Sequence, residues 1–377
     1  MSAADTLRAW AYLSRVAEPP CPELAALVKR VGPVEAAERV RCGQVDAGVA
    51  QHTKARSEID RAAEDLALLE RRGGRLITPD DAEWPVLAFA AFGGAAARAK
   101  PQCRPPLVLW ALGPARLDEI AQRAAAIVGT RAATGYGEQV SADLAAGLVE
   151  RDVAVVSGGA FGIDGAAHRA TLASDGHTVA VLAGGIDVPY PAGHSALLHR
   201  IGQHGLLVSE YPPGVRPYRH RFLTRNRMVA ALAGATVVVE AGLRSGAANT
   251  AAWARTLGRV VAAVPGPVTS AASAGCHALL RGGAELVTRA EEVVELAGRM
   301  GELADEPARP ATPLDGLGDA ERRVYEALPG RGAATVDQIA VACGLVPTAV
   351  LAPLAMLEVA GLAQRHDGRW RIVRVPR

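Results

Sequence analysis

Residues 153–168 read Val-Ala-Val-Val-Ser-Gly-Gly-Ala-Phe-Gly-Ile-Asp-Gly-Ala-Ala-His, and this stretch decides the fold. The apolar start predicts a buried strand, the glycines predict a turn, and the segment from Asp164 onward predicts a helix. Such a turn presents backbone N–H groups and a helix N-terminus to an anion, most often a phosphate. It lacks the Gly-Lys-Ser/Thr of a Walker A loop, and a dinucleotide fingerprint has its acid about 20 residues downstream rather than inside the turn. The turn therefore belongs to neither nucleotide-binding class.

The alternation of strand and helix continues over residues 107–298. Apolar runs end at six positions, namely Val128, Val156, Leu182, Val208, Val239 and Val264. Amphipathic stretches typical of helices lie between them, at residues 137–151, 164–174 and 249–257. Short, continuously apolar strands that alternate with helices are typical of a parallel sheet covered on both faces. The sequence therefore predicts an α/β domain over this range.

Smaller units flank the predicted sheet. Residues 1–104 carry apolar side chains at helical spacing and predict a helical amino-terminal domain. Residues 301–318 contain three prolines and three glycines and predict a linker. Residues 319–377 show three helical stretches and then a hairpin pattern, which predicts a winged-helix domain.

Composition limits the class of protein. The net charge is only +2, so any nucleic-acid binding must come from local clusters of basic residues. No apolar stretch reaches about 18 residues without a charge, so we expect no membrane span. The amino terminus lacks the pattern of a signal peptide, and the five cysteines form no Cys-x-x-Cys pair. These features indicate a reducing, cytoplasmic location without disulfides or a zinc site.

Glycine-bearing turns follow most of the predicted strands. Besides the stretch described first, they lie at residues 129–131, 184–187, 209–214, 240–246 and 265–267. The carboxyl ends of parallel strands share one edge of the sheet, and that edge is where open α/β sheets bind ligands. Each turn alone is equally typical of an ordinary strand end. Together they favour a long track for a polyanion over a single nucleotide pocket.

Residues 216–227 read Arg-Pro-Tyr-Arg-His-Arg-Phe-Leu-Thr-Arg-Asn-Arg, with five arginines and no acid. Arginine binds phosphate in a bidentate manner and stacks on bases, and Tyr218 and Phe222 add aromatic faces. We expect this segment to form a loop beside the glycine turns, with Arg225-Asn226-Arg227 opening an apolar helix over residues 228–232. The alternatives are a solvated run of charge and, for Arg225-Asn226-Arg227, a structural role in fixing the loop to the sheet.

No catalytic or metal site is predicted. Ser157, Asp164 and His168 suggest a triad, but a nucleophile elbow requires Gly-x-Ser-x-Gly, and Asp164 is equally placed to cap the helix. The histidines at residues 194, 199 and 204 are five apart and so do not share a helix face, which argues against a metal site. We therefore predict a binding protein without enzyme activity, cofactor or metal.

In their order along the chain, these motifs make the sequence resemble the DNA-processing protein A family (DprA, also called Smf). The motifs that carry the resemblance are Ile127–Arg131, Ser157–Asp164 with Ala167 and His168, Gly184–Asp187 with Tyr190 and Pro191, Ser209–Gly214, Arg225–Arg227, Glu240–Gly246 and Val264–Pro267. The resemblance covers residues 107–298. The helical front domain, of the SAM or helix-hairpin-helix type, and the winged-helix tail are similar to those of the longer family members.

The resemblance implies an extended Rossmann-like fold and a function. A protein of this family binds and protects single-stranded DNA and loads the RecA recombinase onto it in natural transformation and recombination. It is expected to form a homodimer through the Rossmann domain and to have no catalytic activity. The motifs and the local chemistry together give these candidate DNA-binding residues: Arg131, Ser157, Gly158, Gly159, Phe161, Gly162, Asp164, Arg219, Arg221, Arg225, Arg227, Ser245 and Gly246.

The sequence departs from the family pattern within the first-quoted turn. Gly159 and Phe161 stand where the family usually has a large apolar residue and an arginine. An aromatic ring at residue 161 is able to stack on a base instead of pairing with a phosphate. This turn is therefore expected to bind the strand by stacking and by bare backbone amides.

An enzyme of the LOG/lysine-decarboxylase-like group, which hydrolyses nucleotides, is the alternative. Those enzymes resemble this fold and carry Pro-Gly-Gly-x-Gly-Thr-x-x-Glu, whereas residues 240–246 read Glu-Ala-Gly-Leu-Arg-Ser-Gly without the catalytic glutamate spacing.

In the winged-helix domain, residues 348–359 offer no Arg, Lys, Asn or Gln to base edges. We therefore expect the tail to contact protein or to be regulatory, with possible backbone contacts from Arg365, Arg369, Arg371 and Arg374.

Overall fold

The structure is a computed structural model that describes residues 2–298, 302–304 and 314–373. The chain forms two compact units, Met1–Asp305 and Glu306–Arg377. The expected linker over residues 301–318 falls largely outside the described residues, as does Arg374. A boundary near residue 104 between a helical domain and a sheet domain stays a prediction.

A nine-stranded sheet forms the centre of the first unit. In chain order its strands are β1 (Gly74–Ile77), β2 (Leu109–Leu112), β3 (Ala124–Val128), β4 (Ala154–Ser157), β5 (Thr178–Leu182), β6 (Leu206–Ser209), β7 (Ala235–Val238), β8 (Val260–Ala263) and β9 (Glu285–Leu286). Their spatial order is β1-β2-β6-β5-β4-β3-β7-β8-β9. The pairs β1–β2 and β2–β6 are antiparallel, and all other neighbours are parallel. The six predicted strands end within one residue of the predicted positions, and the α/β class is confirmed.

Three strands, β1, β2 and β9, were not predicted from the sequence, and β1 corrects the expectation for the amino-terminal residues. Residues 1–104 are expected to be helical, which is wrong for β1. This strand has four residues, and Arg75 within it donates from Nε to Glu83 at 2.6 Å. A strand so short, with a charged residue in it, contains no apolar run for a sequence pattern to detect.

Fifteen α-helices lie in the described part of the first unit. They are α1 (Ala3–Val16), α2 (Pro22–Val31), α3 (Pro33–Arg41), α4 (Ala47–Thr53), α5 (Ala62–Arg71), α6 (Val86–Phe89), α7 (Ala95–Arg98), α8 (Leu117–Ile120), α9 (Gly135–Val149), α10 (Ile163–Ala173), α11 (Ser195–His204), α12 (Arg219–Ala231), α13 (Gly246–Thr256), α14 (Ala274–Arg281) and α15 (Ala290–Ala297). Short 3-10 helices cover Ala90–Gly93 and Ala192–His194. Helices therefore follow most of the parallel strands, as expected for this class.

The central strands are buried on both faces. In β3, Ala125 and Ile127 join the core cluster that contains Leu144 of α9, whereas Ala126 joins the cluster that contains Ala251 of α13. Successive residues of a strand point to opposite faces, so both faces must be apolar. This double coverage explains the continuous apolar runs of the sequence.

The amino-terminal helices share a hydrophobic core with the sheet. Leu13 of α1 and Leu24 of α2 are fully buried in the same cluster as Ala180 and Leu182 of β5. These helices therefore cover part of one face of the sheet instead of enclosing a core of their own.

The strand order reverses at β3. The strands β4, β5 and β6 lie on one side of it, and β7 and β8 lie on the other. The helices that follow β3 and β7 pack on opposite faces, because α9 and α13 belong to different core clusters. Diverging connections of this kind open a crevice at the carboxyl ends of the strands, where ligands of open α/β sheets bind.

The second unit is a winged helix. It contains α16 (Asp319–Ala327), α17 (Val336–Cys343), α18 (Pro347–Val359) and a hairpin of β10 (Ala363–His366) and β11 (Arg369–Ile372). Its core includes Val324, Ile339, Leu354 and Trp370. The three helices and the hairpin confirm the predicted winged-helix fold.

Helix lengths bear on membrane insertion. Among the described residues, no single helix has the length and apolar composition needed to cross a membrane. The helices α17 and α18 meet those criteria only as a pair, and they are bent by 102° where they join.

Candidate nucleic-acid interface

A cavity of about 870 Å³ opens at the crevice where the strand order reverses. It brings together seven of the predicted residues, namely Arg131, Gly158, Asp164, Arg219, Arg225, Ser245 and Gly246. The other six predicted residues do not line it: Ser157, Gly159, Phe161, Gly162, Arg221 and Arg227. Tyr190, Tyr218, Phe222 and Arg244 line it as well. The cavity thus combines exposed cations, aromatic rings and backbone turns.

Ser157 and His168 form hydrogen bonds away from the cavity. Ser157 is fully buried and donates from Oγ to the carbonyl of Ile127 at 2.6 Å. His168 is also fully buried, and its Nδ1 lies 2.7 Å from Oγ1 of Thr178. Burial lowers the pKa of His168 to about 3, so the imidazole is neutral at pH 7. Both side chains therefore serve the fold in this arrangement.

Asp164 holds the glycine turn in place. Its Oδ2 accepts hydrogen bonds from the backbone N–H groups of Gly158 at 3.2 Å and Ala160 at 3.4 Å. Burial raises the pKa of this carboxyl, while the charge of Arg225 opposes the shift. Asp164 is therefore bonded to the turn itself, two residues beyond the glycine that precedes α10.

Arg225 lies beneath the glycine turn and lines the cavity. It is 5% exposed, and its Nη1 donates to the carbonyl of Val181. Among the described residues its Nε has no hydrogen-bond partner. Burial lowers its pKa to about 10, so the group still carries its charge at pH 7. A Cβ at Gly158 would overlap this guanidinium, so only glycine allows the turn to approach it so closely.

The arginine-rich segment is a helix over most of its length, which corrects the expected loop. Helix α12 begins at Arg219, and two of its arginines are paired inside the protein. Arg221 donates to both carboxylate oxygens of Glu18, at 2.6 and 2.7 Å. Arg227 donates to both oxygens of Glu210, at 2.5 and 2.6 Å, and is fully buried. These two arginines anchor α12, and of the two only Arg227 lies within the stretch for which a structural role was the stated alternative.

Exposed arginines and aromatic rings surround the mouth of the cavity. Arg131, Arg219 and Arg244 are exposed. The guanidinium of Arg131 lies 5.3 Å from the centre of the Phe222 ring, and that ring lies 5.3 Å from the ring of Tyr190. Tyr218 is 58% exposed. Rings and guanidinium groups of this kind stack on unpaired bases.

The first turn of α13 adds a site for an anion. Ser245 precedes the helix and accepts a hydrogen bond from the N–H of Ala248 at 3.2 Å. No acid lies in the first turn of this 11-residue helix. The N-terminus of a helix carries partial positive charge and unpaired N–H groups, which favour a phosphate. In α10, by contrast, Asp164 already occupies the first turn.

Gly159 and Phe161 lie outside the cavity. Gly159 has a φ of +70°, a conformation that a large apolar residue rarely adopts. Phe161 is 44% exposed and packs edge-on against His194, with ring centres 4.5 Å apart. The turn therefore presents an exposed ring beside the cavity, at the position where an arginine is usual.

Sequence reasoning missed three residues that shape this site. Arg244 lies directly before the predicted Ser245, and its position in a basic, glycine-bearing turn was a usable signal. Glu18 and Glu210 are far in sequence from the arginines that they bind. No local pattern connects them to α12.

The described residues contain no group of three or more His, Cys, Asp or Glu side chains that is able to hold a metal ion. The cavity is instead lined by cations and rings. Together, the sheet and the winged helix define a Rossmann-like α/β protein with a winged-helix unit, and the cavity at the carboxyl edge of the sheet has the lining expected of a site for an anion.

Comparison with known proteins identifies the family. Residues 75–298 match the model of DNA recombination-mediator protein A, and residues 306–369 match that of the DprA winged helix domain. A DprA relative from Mycobacterium tuberculosis strain H37Rv is 78% identical over 369 residues, which cover 98% of this chain and 95% of the relative. The chain belongs to the DprA family, and the resemblance drawn from the motifs is confirmed.

Solved structures agree with this assignment. DNA processing protein A from Streptococcus pneumoniae superimposes with a TM-score of 0.63 at 27% identity, covering 79% of this chain and 100% of that one. The Helicobacter pylori protein, whose structure describes a single-stranded DNA binding mode, gives a TM-score of 0.50 at 26% identity and covers 59% and 94%. The Rossmann-like fold of the first unit is therefore shared with DprA proteins.

Proposed function

We propose that this protein binds single-stranded DNA in the cavity at the carboxyl edge of the sheet. The observation that carries the proposal is the meeting of exposed Arg131, Arg219 and Arg244 with aromatic rings and the N-terminus of α13. Arginines neutralise the phosphates, and rings stack on bases without selecting a sequence. The family and the H. pylori structure support the same ligand.

The proposal divides the predicted residues by role. Arg131, Arg219, Ser245 and Gly246 contact the strand, together with Arg244. Arg225 meets a phosphate that enters the cavity beneath Gly158, and Phe161 stacks on a base outside it. Ser157, Asp164, Arg221 and Arg227 hold the turn and α12 in position.

The cellular function we propose is that of a recombination mediator in the cytoplasm. The protein protects single strands in natural transformation or recombination and loads the RecA recombinase onto them. It acts as a homodimer through the Rossmann-like unit, and it requires neither catalysis nor a cofactor. Family membership supports this function. We expect purified RecA to form filaments on single-stranded DNA faster in the presence of this protein than in its absence.

Charge reversal at the cavity tests the binding site. In Arg131→Glu/Arg219→Glu, repulsion of the phosphates should abolish binding of a fluorescent oligo-dT in an anisotropy titration. Affinity of the unaltered protein should fall steeply with salt, because binding releases counterions.

Arg8→Glu/Arg30→Glu is the matched control. Both arginines are exposed on amino-terminal helices, and neither lines the cavity. This variant makes the same change in charge and should retain near-normal affinity. Equal binding by the two double variants would show that the strand lies elsewhere.

A further inference from the structure

The hairpin of the winged helix carries arginines on one face. Arg369 and Arg371 are exposed on β11, and the residue between them, Trp370, is buried in the core. In the register of the hairpin, Arg369 lies opposite His366 and Arg371 lies opposite Gln364. Alternation along a strand therefore places these four side chains on the same face.

This face forms part of a concave surface. A cavity of about 760 Å³ is lined by Arg369, Arg371, His366 and Gln364 from the hairpin, and by Arg331 from the segment before α17. Arg331 is exposed as well. Three arginines from two segments thus converge on one hollow, which we call the wing hollow.

The charge of the wing hollow is strongly one-sided. Within the described residues, no ion pair joins Arg331, Arg369 or Arg371 to an acid. The one acid lining the hollow is Asp367, at the tip of the hairpin, where it lies 3.3 Å from His366. Most other acids of this unit lie on its three helices, in α16, α17 and α18. Arg371 donates to the side-chain oxygen of Gln364, which is neutral and leaves the charge of the guanidinium uncompensated. An exposed group of arginines without acidic partners is suited to a polyanion.

The chemistry around the wing hollow distinguishes between kinds of nucleic acid. Among the described residues no Phe, Tyr or Trp lines it, its one ring is the imidazole of His366, and Trp370 behind it is only 5% exposed. The hollow therefore offers unpaired bases a smaller stacking surface than the cavity of the first unit does. A duplex keeps its bases stacked inside and presents two rows of phosphates, which arginines bind without stacking.

Helix α18 lacks the side chains that most often read base edges. In most winged helices the helix at this position enters the major groove. Here α18 contains no Arg, Lys, Asn or Gln, and its exposed side chains include Leu351, Met356 and Val359. The composition of α18 therefore favours binding to the phosphate backbone over recognition of a sequence by this helix.

We propose that the winged-helix unit binds duplex DNA through its wing hollow, without sequence preference and independently of the single-strand cavity. Arg331, Arg369 and Arg371 contact phosphates across the hairpin face. The protein thereby has two sites of different selectivity, one for unpaired strands and one for the backbone of a duplex. This site goes beyond the single-strand function proposed above.

The variant Arg369→Ala/Arg371→Ala in the full chain tests the proposal. Binding of a labelled 30-base-pair duplex is measured by anisotropy in the presence of saturating oligo-dT, which occupies the cavity. Duplex affinity should fall about 10-fold or more, and the slope of log K against log salt should decrease by about 2 as two phosphate contacts are lost. Affinity for oligo-dT alone should stay within about 2-fold.

Arg8→Ala/Arg322→Ala is the matched control. Both arginines are exposed, Arg322 in the same unit, and neither lines the wing hollow. This variant removes the same charge and should keep its duplex affinity. An equal loss in both variants, or an equal loss of single-strand and duplex binding in the first, would overturn the proposal.

A gain of binding provides a second test that misfolding cannot imitate. Asp367 has a φ of +48°, which asparagine also tolerates, so Asp367→Asn should fold normally. Loss of the one acid in the hollow should raise duplex affinity about 2- to 3-fold, and unchanged or weaker binding contradicts the site. The single-strand proposal is contradicted by a different result, namely normal oligo-dT binding by Arg131→Glu/Arg219→Glu.

Discussion

Gly158 controls how closely the glycine turn approaches Arg225. The turn is hydrogen-bonded to Asp164, and Gly158 lies directly against the buried guanidinium of Arg225. This single position links the backbone of the turn to the charge beneath the cavity. It also explains why the sequence keeps a glycine there, since any side chain would displace Arg225.

We predict that Gly158→Ala is destabilising. The new methyl group would overlap the guanidinium of Arg225, and overpacking of this kind costs about 1–3 kcal/mol. The free energy of unfolding measured in urea should fall by that amount, and oligo-dT binding should weaken because Arg225 is displaced. Gly242→Ala is the control, since nothing lies within 4 Å of its Cβ position although it lines the same cavity. Equal stability of the two variants would contradict the close contact.

His168 makes stability depend on pH. Burial lowers its pKa from 6.5 to about 3, so the folded protein keeps the ring neutral while the unfolded chain protonates it below pH 6.5. The unfolded state then binds more protons, and stability is lost as the pH falls from 6.5 towards 3. The contribution is complete above pH 6.5.

We predict that His168→Gln has a shallower loss of stability in acid. Between pH 6 and pH 4 the unaltered protein should lose up to about 1.4 kcal/mol more per pH unit than this variant. Urea unfolding at a series of pH values measures the difference. His204→Gln alters an exposed histidine and should follow the unaltered protein. Parallel curves for all three proteins would show that His168 titrates normally in the fold.

At the scale of elements, the first half of α12 is held by polar contacts, whereas its second half, from Met228 onward, packs in the apolar core. Its inward side chains include Arg221, Arg225 and Arg227, with partners in Glu18, Val181 and Glu210. A helix buried in this way has no hydrophobic periodicity in its first two turns. The sequence therefore suggested a loop, and only tertiary contacts establish the helix.

The contribution of an ion pair to the stability of this helix can be measured at Arg227 and Glu210. Arg227→Met leaves the Glu210 carboxylate buried without its partner and should cost about 3–5 kcal/mol of unfolding free energy. Arg227→Met/Glu210→Leu removes both charges and should recover most of that loss. The exposed pair of Arg39 and Glu35 is the control, and Arg39→Met should cost less than about 1 kcal/mol. A double variant no more stable than the single one would rule out an unpaired charge as the cause.

At the scale of the whole molecule, the sequence predicted the parts of the sheet that depend on local pattern. The central strands are apolar on both faces, so their runs are visible, and their shared carboxyl edge follows from parallel pairing. By contrast, β1 has only four residues with a charge among them, and β9 has two exposed residues. Such edge strands are formed by their neighbours and leave little trace in the sequence.

The candidate site was predictable to a similar degree. Arg131, Arg219 and the turn after β7 could be placed at the edge because each follows a recognisable strand or lies in the basic segment. The sequence could not predict that Arg225 lines the cavity whereas Arg221 and Arg227 do not. Arg221 and Arg227 form ion pairs with Glu18 and Glu210, whereas Arg225 donates to the carbonyl of Val181 and lies near the charge of Asp164. All of these partners lie outside α12.

The burial of α1 and α2 against β5 has a practical consequence for dividing the protein. The stretch that defines the family begins at residue 75, yet the hydrophobic surface that it contributes is covered by residues from the first three helices. A fragment cut at residue 75 would expose Leu182 and Ile186 to water and would lose the carboxylate of Glu18 that secures α12. The inherited signature and the smallest independently folding piece are thus different lengths of chain, and expression trials should begin at the first residues of α1.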